Sequence, residues 1–252
     1  MKYKKETLEQ IKKYGYYKPT NLLTSSDAKT TKGEKIGYKT YIMYLSPASQ
    51  NSQGINICPF ASKDCTKLCL FGAGRGKFDN VKKGRINKTE YYLKDKKGFF
   101  EQLKKEITKI SKRHKKNGKK YAIRLNGTSD LNFSHIIRQF PNVQFYDYTK
   151  GLNRAIKNKL PNYDITFSMS ESNHKEVAQA LYNRIRTAIV TKFDFSKYKS
   201  LYNYPVINGD ETDLRFLDGF GLVLLKAKGD ATKGIDSGFI IKDKKDLKKL
   251  LA

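Results

Sequence analysis

Two hydrophobic rhythms alternate along the chain from Lys39 onward. Short runs of aromatic and branched residues read as strands over Lys39–Leu45, Tyr121–Leu125, Val143–Tyr148, Asp164–Met169 and Thr187–Thr191. Between them, apolar residues recur every three or four positions, the period of an amphipathic helix. From Thr89 to Lys116, Tyr92, Phe99, Phe100, Leu103, Ile107 and Ile110 fall on one face with lysines on the other, and Asn117-Gly118 ends the run. Shorter helices are predicted over Leu131–Phe140, closed by Pro141, and over Gly151–Leu160, closed by Pro161. A further helix, His174–Arg186, places Val177, Leu181 and Ile185 on one face.

Strands alternating with helices predict an α/β fold: a βα-repeat parallel sheet with helical cover. Five strands in series allow an open doubly wound sheet or a full or partial barrel, and in each the ligand site lies at the carboxyl ends of the strands. Neither a dinucleotide-binding glycine fingerprint nor a phosphate-loop sequence is present, which favours the barrel-like arrangement. Residues 1–37 are polar and read as an N-terminal helix and loop. Residues 38–252 read as one βα-repeat domain. Its tail holds short strands at Pro205–Asp210, Gly221–Leu225 and Gly238–Ile241, then a lysine-rich helix over Lys242–Leu251. These predict a β-rich C-terminal cap.

Charge changes this picture. The 252 residues carry 51 Lys+Arg against 24 Asp+Glu, a formal charge of +27. The excess runs along the whole chain, so it is no detachable tail. AT-rich coding would raise lysine and tyrosine without lowering the acids. A field of this sign attracts polyanions, and nucleic acid, DNA or RNA, is the expected partner. No apolar run reaches the ~18 residues that cross a bilayer, so no membrane is expected. An odd cysteine count argues against a secreted disulfide framework, and a cytoplasmic location is expected.

All three cysteines, Cys58, Cys65 and Cys69, lie within one loop after the first strand of the repeat. Clustered thiols are soft ligands suited to an iron–sulfur cluster or zinc. Three ligands leave one coordination position for a fourth residue, a water or a substrate. A histidine distant in sequence is one source of a fourth zinc ligand. Polar motifs follow the later strands. Arg124 to Asp130 places Gly127 and Thr128 in a turn that reads equally as a ligand loop or as a helix cap. Tyr148 and Lys150 share one side of the third repeat strand, and Ser168 opens another polar loop. Asp210 and Asp213 stand out against the basic background. Arg124, Asp130, Tyr148, Lys150, Asp210 and Asp213 are therefore the candidate catalytic residues, with Gly127, Thr128 and Ser168 as candidate cofactor contacts. Arg75, Lys77, Arg215, Lys226 and Lys228 are candidate nucleic-acid contacts. A nuclease built on Asp130, Asp210 and Asp213 has no recognisable motif behind it.

The ordered set Cys58-Pro-x-Ala-x-x-Cys65-x-x-x-Cys69-Leu, Arg124-Leu-x-Gly-x-x-Asp130, Phe145-Tyr-x-Tyr-Thr-Lys150, Asn208-Gly-Asp-x-x-Asp213-x-Arg215 and Lys226-Ala-Lys-Gly229 resembles the phage and plasmid gene product 88 family over roughly residues 38 to 241. That resemblance implies a mobile element as the source. The layout is also similar to radical S-adenosylmethionine enzymes, which set three cysteines after the first strand of a partial βα barrel, although the spacing differs from their Cys-x3-Cys-x2-Cys. It implies a four-iron cluster whose open iron binds S-adenosylmethionine. Two functions are thus expected: a radical-type enzyme acting on nucleic acid or nucleotide, or a non-enzymatic DNA- or RNA-binding protein with a structural metal.

Overall fold

The computed structural model describes residues 4–26, 28–69, 74–228 and 238–251, with backbone alone at positions 28, 29, 75 and 77. Among them the strands are β1 Leu23–Thr24, β2 Tyr38–Met43, β3 Lys120–Arg124, β4 Phe145–Thr149, β5 Tyr163–Ser168, β6 Thr187–Thr191, β7 Ser200–Leu201, β8 Tyr204–Asn208, β9 Leu222–Lys226 and β10 Ile240–Ile241. They form one sheet in the order β1-β2-β3-β4-β5-β6-β9-β8-β7, with β10 also paired to β6. From β2 to β8 every neighbouring pair is parallel. β1 and β7 are antiparallel at the two ends, so the sheet is open. The α/β repeat expected from the hydrophobic pattern is present in its partial rather than its closed form. The C-terminal strands also form, and they extend this same sheet through β9 and β8.

Side chains alternate between the two faces of a strand, and each face has its own cover. On one face Tyr41, Met43, Ile123, Phe145 and Tyr163 pack with Tyr91, Phe99, Leu103 and Ile107 in a fully buried core. Those partners belong to α4 (Asp79–Lys94) and α5 (Lys96–Asn117). The Thr89–Lys116 pattern is therefore two helices. Asp95 breaks it, because its backbone leaves the helical region (φ −141°, ψ 69°) and its carboxylate accepts from Gly98 N, capping α5. A hydrophobic face running through both helices hides such a break from a periodicity argument.

On the other face Ala122 and Tyr146 pack with Leu214, Tyr38 and Phe216. The segment after β8 thus crosses this face, with Phe216 against both Tyr38 of β2 and Tyr146 of β4. Arg124 and Tyr148, two residues further along their strands, point to the same side.

The remaining helices are α1 (Lys5–Tyr14), α2 (Ala28–Glu34), α3 (Lys63–Lys67), α6 (Ser134–Ile137), α7 (Leu152–Ile156), α8 (His174–Tyr182) and α9 (Lys244–Leu251). α6 is shorter than its pattern because Leu131 N bonds to Asn126 Oδ1, which keeps the chain in the loop. No helix among the described residues is long and apolar enough to cross a membrane.

Candidate functional site

Strands β2, β3, β4, β5, β6, β8 and β9 lead into one cavity of about 470 Å³ at their carboxyl ends. Its described lining includes Ala48 after β2, Arg124 on β3 and Asn126 just after it, Tyr148 and Thr149 on β4, Ser168 on β5, Val190 on β6, Lys226 on β9 and Gly209 after β8. Cys58, Cys65 and Cys69 line it too, as do Gly127, Thr128, Asp130, Lys150, Asp210, Asp213 and Lys228. The motifs scattered over the sequence are brought together because every βα unit delivers its post-strand loop to the same edge.

The cysteine loop is pinned at several points. Ala48 N lies 3.4 Å from Cys58 Sγ, which lies 3.6 Å from Thr128 O. Asp130 N donates to Ile57 O, tying the loop to the one after β3. Ser62 caps α3, its hydroxyl accepting from Cys65 N at 3.1 Å. That hydroxyl donates to Glu171 Oε2 at 2.7 Å, and Glu171 Oε1 accepts from Asp64 N at 2.9 Å. One carboxylate after β5 therefore holds the start of the helix that carries Cys65.

None of the three cysteines is in a disulfide, and each is partly buried. Burial pushes the Cys58 thiol up to about 12, and Cys69 and Cys65 beside it add to the rise. Burial raises Cys65 as well, opposed by the Lys150 ammonium. Cys58 and Cys65 are thus costly to ionise alone, and a cation beside them would stabilise their thiolates. Among the described residues, no three His, Cys, Asp or Glu side chains are already arranged to hold a metal ion.

The histidines stand elsewhere. His114 Nε2 meets Tyr41 Oη and its Nδ1 meets Lys119 O. His135 packs edge-on against Phe100, and His174 Nε2 bonds to Gly238 O. None of the three lines the cavity.

The carboxylates of the site each have a cation. Asp130 pairs with Arg154 and also accepts from Thr149 Oγ1 and Lys150 N at 3.0 Å each. Burial raises its carboxyl and the Arg154 guanidinium opposes that rise. Asp213 pairs with Arg124 and accepts from Tyr148 Oη at 3.3 Å. Asp210 pairs with Lys228 and accepts from Lys226 N at 2.9 Å. This distribution does not suit three acids sharing one nuclease metal. Lys150 donates to Ser168 Oγ at 2.9 Å and sits 5.4 Å over the Phe239 ring.

Two expectations change. Gly127 lines the cavity, but the space beside it is filled by β2: a Cβ there would lie 2.6 Å from Tyr44 Cδ1 and 2.7 Å from Met43 O. Its small size serves backbone packing rather than approach to a ligand. Arg215 is 1% exposed and turns to Thr212 O and Asp218, so it is not presented to a nucleic acid. The side chains of Arg75 and Lys77, and Gly229, lie outside the described residues.

Sequence reasoning missed Asn126, Asp147, Arg154 and Glu171. Asp147 is fully buried; its oxygens accept from Asn126 N at 2.8 Å, Asn126 Nδ2 at 3.1 Å and Tyr163 Oη at 2.9 Å. Asn126 Oδ1 in turn accepts from Ser129 Oγ and Leu131 N. This network sets the Arg124–Asp130 loop. An acid in the middle of an aromatic strand was the signal available for Asp147. Glu171 offered none, because its partners stand more than a hundred positions away.

The family model described as gene product 88 matches residues 21–243. No curated protein and no solved structure matches the chain.

Proposed function

The chain belongs to the gene product 88 family, and we propose that it is a mobile-element enzyme whose three-cysteine loop holds an iron–sulfur cluster beside a cavity for a nucleic acid or nucleotide. The observation that carries this reading is the meeting of Cys58, Cys65 and Cys69 with the polar ends of the parallel strands in one cavity. The donor chemistry supports a cluster: three soft thiols line one cavity, and no histidine stands there to complete a closed four-ligand zinc site, although the side chains would have to turn towards one another to hold it. Asp130, which lines the cavity with the thiols, is already engaged by Arg154, Thr149 and Lys150 N. A fourth coordination position would therefore remain for a ligand such as S-adenosylmethionine.

When bound, a cluster with one open iron supplies an electron to the ligand held there. The chain's own residues supply position and charge. Glu171 and Ser62 fix the helix that carries Cys65. Arg124, held by Asp213 and stacked 4.8 Å from the Tyr148 ring centroid, keeps a buried positive charge at the cavity. Lys150 places its ammonium between Ser168 and the Phe239 ring. The apolar wall of Leu68, Val190 and Leu225 limits water.

Purification without oxygen, followed by iron, sulfide and zinc analysis, tests the reading. About four irons and four sulfides per chain are expected, lost in the Cys58→Ala, Cys65→Ala, Cys69→Ala variant. One zinc and no iron would replace the enzyme by a nucleic-acid binder with a metal-stiffened loop.

A further inference from the structure

The cavity carries more positive charge than its acids offset. Among the described residues its lining holds five cations, Lys32, Arg124, Lys150, Lys226 and Lys228, against three carboxylates, Asp130, Asp210 and Asp213. Each carboxylate has its own partner: Arg154, Lys228 and Arg124 respectively. Arg154 stands outside the lining, so Asp130 is neutralised without using a cavity cation. Lys32, Lys150 and Lys226 are left with no carboxylate partner among the described residues. Lys32 donates to the Asp210 backbone carbonyl, and Lys150 donates to the neutral Ser168 hydroxyl. Lys226 has an exposed side chain. Three ammonium groups around one cavity, none of them in an ion pair among the described residues, favour an anionic ligand, although Lys150 also meets the Phe239 ring and Lys226 also acts on Asp194.

The rest of the cavity limits what that anion is attached to. Leu68, Val190, Leu225 and Phe239 make an apolar wall suited to a flat, weakly polar body. Phe60, between the cavity-lining Cys58 and Ala61, is 44% exposed, and its ring lies over Gly151, where a Cβ would come within 2.8 Å of it. A half-exposed aromatic ring over Gly151, the residue that follows the cavity's Lys150, is a stacking platform for a base. The volume, about 470 Å³, falls within the roughly 300–1,000 Å³ of small-ligand sites. It accepts one nucleotide and excludes a duplex, whereas the net charge of +27 suits a longer polyanion.

We propose that the cavity takes a single nucleotide of a single-stranded nucleic acid, its phosphate facing Lys32, Lys150 and Lys226 and a neighbouring base stacked on Phe60. This rests on the site assigned above and names its substrate class; it does not require the metal, so the two fail separately.

The test is fluorescence anisotropy with labelled ten-nucleotide single strands of DNA and RNA, the matching duplexes and a labelled mononucleotide. Iron, sulfide and zinc are quantified on the same samples. A Lys32→Ala, Lys226→Ala variant is compared with Lys245→Ala, Lys248→Ala, which removes equal charge from exposed positions on α9. Single strands of either sugar are expected to bind at least about tenfold more tightly than duplex. The cavity variant and Phe60→Ala are each expected to lose about tenfold, as for one lost base stack or phosphate contact, and the α9 variant less than about twofold. Equal losses in the two lysine variants, duplex binding as tight as single-strand binding, or mononucleotide binding with no gain from a strand would each overturn the proposal, whatever the metal content.

Discussion

A methyl group on Gly127 would meet Ile42 Cγ2 and Met43 O at 2.7 Å each. The carbonyl belongs to β2 and already accepts from Gly127 N at 2.9 Å, so it cannot yield cheaply. Gly127→Ala is expected to cost about 1–3 kcal/mol, the range for overpacking, read from urea unfolding. A change within about 0.5 kcal/mol, typical of a surface site, would show that the loop is free to shift. Lys88 makes a different residue-scale prediction. Its ammonium donates to Leu22 O at 2.8 Å, and burial pushes its pKa down to about 8, with Glu106 opposing and Arg85 adding to the drop. The unfolded chain keeps this proton up to about 10.5. Between those values the unfolded state binds more protons, so this group's contribution to stability rises with pH from 8 towards 10.5 and is lost as pH falls through 8. The stability difference between wild type and Lys88→Met, measured at pH 7 and pH 10, should shift in favour of wild type at the higher pH. No shift would mean that the amine titrates as it does in water.

At the scale of elements, short helices are held by partners outside themselves. α3 spans five residues and is too brief to persist alone. Its start is fixed by Ser62 and by Glu171, which arrives from the loop after β5. Glu171→Ala removes charge and acceptor together, whereas Glu171→Gln removes the charge and keeps an acceptor oxygen. In metal-free protein, Cys65 should react with a thiol reagent several-fold faster in the Ala variant than in the Gln variant. Equal rates in the two would make charge the cause and sink the clamp. α4 and α5 show the same dependence on a single side chain, since Asp95 decides that one hydrophobic stripe becomes two helices.

At the scale of the molecule, charge is distributed apart from the core. α5 buries Phe99, Leu103, Ile107, Ile110 and His114 and exposes Lys96, Lys97, Lys105, Lys109 and Lys112. A lysine-rich exterior of this kind predicts nucleic-acid affinity that falls linearly in log–log form with salt. Raising salt from 50 to 200 mM should weaken binding of any strand by at least about tenfold. A flat salt response would remove the polyanion from consideration. The +27 charge acts over the whole surface and falls off within a Debye length of about 10 Å at 0.1 M salt. Arg124 and Lys150, the less exposed cations of the cavity, should account for the less salt-sensitive part.

Hydrophobic period determined the order and kind of the repeat's strands and most of its helices, because strand and helix periods are local properties of a chain, but it missed β1, α2, β7 and the break between α4 and α5. Thr187–Thr191 coincides with β6, and the other predicted strands of the repeat are displaced by at most two residues at either end. The clustering of Cys58, Cys65 and Cys69 and the polar loops after the strands were equally legible, and so was the edge of the sheet where they meet. What only the tertiary structure decided was pairing across long separations. β9 lies between β6 and β8, although β8 precedes it in the chain. That order carries the 209–218 segment across the sheet, where Asp213 reaches Arg124 from 89 positions away and Arg215 is buried. Glu171 reaches Ser62 across 109 positions. Such contacts are fixed by strand order and by which face each residue takes, and neither leaves a periodic trace in the residues themselves.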